Sequence, residues 1–180
     1  MPAPRGAVKA SLAHAAWHDR TPVKPLENDT APVPLGTAAE LLGYLAVAPL
    51  LACLAAVVAL PGYAAHELAQ RASIAWGAVL LAFGGAVHFG LALAGRLPAT
   101  AARTAAAALP ALAAAAAVLI GGQRALALLT VAVGLFWLYE HRVLGTQLPP
   151  DYLNLRRQLS IAICLLLALT MFVSDAAGLA

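Results

Sequence analysis

Charge is the scarcest commodity in this chain. Of its 180 residues only 11% are charged, where a soluble domain carries about a quarter. A water-facing surface cannot be built from so little, because every helix of a soluble protein needs a polar outer face. Cysteine is nearly absent as well: Cys53 and Cys164 each lie in an apolar run with no second Cys or His nearby. That excludes a disulfide framework and any spaced zinc motif, so both read as small packing residues. No P-loop, dinucleotide fingerprint, H-E-x-x-H motif or nucleophile elbow is present. Strands with alternating apolar and polar positions are missing too, which excludes a membrane β-barrel.

What the chain has in quantity is apolar residue, 62% of the total, with a mean hydropathy of +0.83. The charges fall in clusters and leave long intervals between them. Residues 41–65, 104–123, 125–139 and 158–174 contain no charge, and 72–95 contain only His88. About 20 residues of helix cross a hydrocarbon core roughly 30 Å thick. The expected fold is therefore an all-α integral membrane helical bundle of about five transmembrane helices, with spans near 38–60, 73–95, 103–121, 123–143 and 155–175. Spans three and four form the tightest hairpin, at Gly121-Gly122-Gln123-Arg124, with a re-entrant hairpin as the alternative there. Pro49 and Pro110 predict kinks in spans one and three.

Basic residues divide unequally between the two sides of such an arrangement. Arg5, Lys9, Arg20, Lys24, Arg96, Arg103, Arg142, Arg156 and Arg157 share one side, and Arg71 and Arg124 the other. The positive-inside rule places the first group in the cytoplasm, giving N-in, C-out topology. Residues 1–35, with six prolines and almost no apolar run, read as a disordered Pro-rich cytoplasmic tail and not as a secretory signal. A transit peptide is the alternative for its basic, Ala-rich start between Arg5 and Trp17. The pI near 9.2 reflects basic residues flanking spans, which suits anionic lipid headgroups and not nucleic acid.

The second span is the most informative. At about 100° per residue, Gly77, Leu81, Gly84, His88, Leu91 and Gly95 fall close to one line. Gly77, Gly84 and Gly95 on one face let another backbone approach, which points His88 into the bundle. An intramembrane His serves as a ligand, a proton relay or a cross-helix hydrogen bonder, and no second His lies deep in any span. Glu140 and Tyr44 approach the same boundary, so His88, Glu140 and Tyr44 form the candidate polar site. Glu40, Glu140 and His141 have a simpler alternative: reaching headgroups, or pairing locally with Arg142, Arg156 or Arg157.

The ordered segments Leu42-Gly43-Tyr44 with Pro49, Trp76-Gly77-Ala78-Val79-Leu80, Phe83-Gly84-Gly85-Ala86-Val87-His88-Phe89-Gly90, Leu109-Pro110-Ala111-Leu112 and Asp151-Tyr152-Leu153-Asn154-Leu155-Arg156 resemble the membrane family catalogued as domain of unknown function 3429, whose animal member is called transmembrane protein 69. The resemblance spans roughly residues 36–175. Phe89 stands where that family usually has Trp. The resemblance implies a multi-span protein of bacterial inner membranes or mitochondria and implies no reaction, substrate or cofactor.

Three functions follow as expectations. The first is a non-enzymatic accessory or assembly component of a membrane complex, with a membrane-protein partner or a second copy on the glycine-lined span. The second is a small transporter or proton-coupled carrier using His88. The third, a membrane enzyme or cofactor carrier, needs an acid–base pair or second ligand at a spacing the sequence does not show; no catalytic residue, metal or cofactor is expected. The expected location is the bacterial inner membrane, with the mitochondrial inner membrane as the alternative.

Overall fold

The computed structural model describes residues 36–95, 100–145 and 148–178. The expected tail, 1–35, lies outside them, as does Arg96. Five helices follow in order: α1 Thr37–Ala59, α2 Tyr63–Leu93, α3 Ala101–Ile120, α4 Gly122–Tyr139 and α5 Pro150–Gly178. A π-helical turn, Glu140–Leu144, extends α4. Each of the five is long and apolar enough to cross a membrane.

The turns have identifiable causes. Leu60 is held extended (φ −90°, ψ 132°) because the ring of Pro61 disfavours the helical region for the residue before it, and α1 stops there. Between α3 and α4, Gly121 and Gly122 both take positive φ, 65° and 60°, a region that L side chains avoid. The hairpin therefore closes with no intervening loop. The start of α3 is capped by Thr100, whose hydroxyl oxygen accepts from the Arg103 N–H at 3.4 Å.

The largest departure from the expected helix boundaries is at the start of α2. α2 begins at Tyr63, ten residues before the expected start at 73, because clustered charge marks the end of the hydrocarbon and not the end of a helix. Its extra turns are solvated and carry the Arg71–Glu67 pair at i, i+4 (2.6 Å). α3 and α4 are regular helices from Ala101 to Leu144 apart from the turn and the π segment, each long and apolar enough to cross.

α2 is the hub, touching all four other helices. Its buried face, Ile74, Gly77, Leu81, Gly84 and His88, repeats every three or four residues and meets an equally spaced face on α4. Gly77 lies against Leu129, Gly84 against Phe136 and His88 against Glu140, with the same offset along the chain at all three levels, so the two helices run parallel in register. Leu50, Leu81, Leu126, Leu129 and Leu167 fill the centre and are nearly inaccessible. The outside is the reverse of a soluble protein: Leu42, Leu51, Val58, Leu68, Leu93, Leu119 and Phe172 are among its many exposed large apolar side chains. Lipid offers no hydrophobic drive between helices, so close packing has to hold them.

The two prolines are accommodated by α2. Each breaks the backbone ladder of its own helix, and α2 approaches a backbone carbonyl in the turn before each. Trp76 Nε1 donates to Ala46 O at 2.7 Å, one turn before Pro49. Gly85 lies so close to Ala107 O, one turn before Pro110, that a Cβ there would overlap it.

Candidate functional site

Near the end of the bundle where α2 finishes and α3 starts, three buried stripes finish on polar residues. On α4 the sequence Leu126, Leu129, Val133, Phe136 continues at the same spacing to Glu140, which is 1% exposed. On α5, Leu167, Ile163 and Ser160 lead back to Arg156. On α2 the stripe arrives at His88, 5% exposed. A carboxylate, a guanidinium and an imidazole are thus delivered to one level by the buried faces of three helices.

Their geometry is specific. Arg156 Nε donates to Glu140 Oε2 at 2.9 Å, and His88 Nε2 faces Glu140 Oε1 at 3.4 Å. The other imidazole nitrogen, Nδ1, lies 3.1 Å from Gly84 O. A carbonyl oxygen only accepts, so Nδ1 carries a proton. Nε2 then faces the carboxylate either as a lone pair, which repels, or through a second proton shared with Glu140. Nε2 and Oε1 are both buried, and neither has a hydrogen-bond partner. The arrangement sets an imidazole nitrogen and a carboxylate oxygen face to face beside a guanidinium.

Aromatic rings wall the site. Phe136 meets His88 edge to face at 5.1 Å, and the Arg156 guanidinium lies 5.6 Å from the centre of the same ring. Tyr139 stacks on Phe136 at 6.4 Å. The Tyr152 phenol interacts with both Glu140 and Arg156. Gly84 has a role beyond helix approach: a side chain there would strike the Arg156 guanidinium. Small cavities of about 10 Å³ each, the size for one water, lie on the two sides, one against His88, Arg103, Thr104 and Tyr139, the other against Arg156 and Ser160.

Of the expected site residues, His88 and Glu140 are brought together and Tyr44 is not. Tyr44 is half-exposed and its hydroxyl donates to Gln158 Oε1 at 2.5 Å, on the face of α5 turned toward α1. Glu40 and His141 are exposed, the latter stacked on Trp137 at 5.8 Å. Of the expected packing glycines, Gly77 and Gly84 sit at helix contacts, and Gly95 does not. The chain leaves the helix at Ala94, and Gly95 takes φ 69° with open space around it. Arg156, read from sequence only as a boundary charge, is the third member of the site. Its signal was available: extended back from Ser160, the α5 stripe reaches it one turn earlier.

Among the described residues no three His, Cys, Asp or Glu side chains converge as a metal site would require. Cys164 Sγ instead donates to Thr130 O at 3.5 Å, a packing contact between α4 and α5.

No curated protein and no solved structure matches the chain. The family described as Protein of unknown function (DUF3429) matches residues 36–172, which takes in the first four helices, α5 as far as Phe172 and the whole His88–Glu140–Arg156 site, and the chain belongs to that family.

Proposed function

We propose that this is a non-enzymatic bacterial inner-membrane protein that binds and releases one proton at His88, Glu140 and Arg156, and uses it to drive a proton-coupled carrier cycle. The observation that carries the proposal is the His88 Nε2 to Glu140 Oε1 contact of 3.4 Å, with Nδ1 committed to Gly84 O. Intramembrane ionisable groups are costly and are retained at proton and substrate paths. The N-in orientation supports access from the cytoplasm. With Arg156 withdrawn from the loop charges because it lies in the bundle, eight basic residues still stand against two.

The competing assembly role drew its motive from the glycine face of the second span. That face is filled from within the chain, by Leu129 and Leu167 at Gly77, by Phe136 and Arg156 at Gly84, and by α3 at Gly85. A partner helix would need another surface.

Dicyclohexylcarbodiimide, which reacts with protonated carboxyls in apolar surroundings, tests the reading. Labelling of Glu140 in the full chain, followed by mass spectrometry across pH, should titrate as a single proton. Its plateau at low pH should rise when His88→Gln removes the competing seat and leaves the proton to Glu140. Labelling that ignores pH would end the proposal.

A further inference from the structure

We infer that Tyr152 is the doorway for the proton: its phenol passes a proton from the water-facing start of α5 to the carboxyl of Glu140. This rests on the one-proton reading above. Glu140 is 1% exposed, so a proton has to be handed to it by a neighbouring group. Its carboxyl meets His88, Arg156 and Tyr152, and the three differ in what they can pass on.

The guanidinium of Arg156 has donors and no acceptor, and it keeps its protons. It neutralises the carboxylate and cannot relay. The imidazole of His88 has both ring nitrogens turned inward, Nδ1 to Gly84 O at 3.1 Å and Nε2 to Glu140 Oε1 at 3.4 Å. It can hold a proton that has arrived, but to collect one from outside it would have to give up both contacts. A phenol is donor and acceptor at one oxygen, so it can take a proton on one side while releasing its own on the other.

The position of Tyr152 suits that task. It lies one helical turn before Arg156 on α5, so the two share a face, and the phenol interacts with both Glu140 and Arg156. The side chain is half-buried, and Pro149, Pro150 and Asp151 just before it are exposed. The charge of Asp151 marks the aqueous boundary, and Tyr152 spans the step from there to the buried carboxyl. Of the remaining groups at this end of the bundle, Arg103, Thr104 and Tyr139 line the cavity beside His88. Tyr44 donates to Gln158, and Glu40, His141, Arg142 and Arg157 are exposed. In the transfer a hydronium ion gives a proton to the phenol oxygen, the phenol O–H bond breaks, and a new O–H bond forms on Glu140. Water and a neutral carboxyl result, and Tyr152 ends as it began.

Proton-jump infrared spectroscopy on the full-length protein in lipid vesicles reads the step directly. A flash releases a caged acid, and the stretch of the protonated Glu140 carboxyl, assigned by its displacement in Glu140→Asp, reports arrival. Tyr152→Phe keeps the ring and removes the relay oxygen. It should slow arrival by about a hundredfold, the low end of what a positioned proton donor contributes. Tyr44→Phe, which deletes a phenol bonded elsewhere, should leave the rate as it was. A Tyr152→Phe protein that moves the midpoint of the Glu140 titration and not the rate would make Tyr152 a hydrogen-bond donor alone and overturn the inference. Slowing of the same size in Thr104→Val would place the entry in the cavity beside His88 and overturn it too. A carboxyl band indifferent to pH in the unaltered protein would instead remove the one-proton reading beneath it.

Discussion

Glu140 holds the place of a leucine. It continues the buried α4 stripe that runs through Leu126, Leu129, Val133 and Phe136, and its Oε2 accepts from Arg156 Nε at 2.9 Å. A carboxylate there survives only because the guanidinium comes from the neighbouring helix at the same depth.

Removing one partner should therefore cost more than removing both. Glu140→Gln or Arg156→Met leaves a buried group without its counterpart, and each should destabilise by about 3–5 kcal/mol. The double variant Glu140→Leu with Arg156→Met should recover most of that loss. Unfolding by sodium dodecyl sulfate in mixed micelles, followed by circular dichroism, measures all three. A double variant no more stable than the singles would refute the pairing account.

The glycines of α2 should respond according to what they touch. Gly85→Ala drives a methyl into Ala107 O and should cost about 1–3 kcal/mol as overpacking. Gly90→Ala meets nothing within 4 Å and should be neutral or gain up to about 1 kcal/mol from helix propensity. The same unfolding assay separates them.

Trp76→Phe keeps the ring and deletes the donor to Ala46 O. The expected loss is about 1 kcal/mol, the net worth of an ordinary hydrogen bond. It should be accompanied by greater mobility of α1 near Pro49, readable from a spin label on exposed Ala48. Unchanged label mobility would show that Trp76 does not secure the proline turn.

Gly121→Ala and Gly122→Ala place a Cβ on residues with φ of 65° and 60°. Each should destabilise by about 1–2 kcal/mol, although neither glycine has a neighbour within 4 Å. A loss at these uncrowded positions would be attributable to backbone conformation alone.

The five helices were readable in advance because lipid solvation demands long uncharged runs, and such runs survive any detail of packing. The ends were less readable. Nothing in the pattern from Tyr63 to Ala72 marks the limit of a helix that simply continues into water, and Gly95 keeps the helical spacing after the helix has stopped. At the site, His88 could be placed from the glycine face of its own helix. Glu140 could be placed from its level on the fourth span, whereas Arg156 required the α5 stripe to be followed past its last apolar member and was read only as a boundary charge. Tyr44 was misplaced for a different reason: level along the membrane follows from position in the chain, whereas the face presented to a neighbour depends on how α1 packs against α5.

The layer formed by Leu50, Leu81, Leu126, Leu129 and Leu167 separates the ionisable site from the opposite end of the bundle. Such a layer acts as an electrical insulator, and an applied voltage falls chiefly across it. A charge reaching His88 from the near side crosses little of the field, so occupancy of that seat should follow the acidity of the adjoining compartment and respond only feebly to the membrane potential.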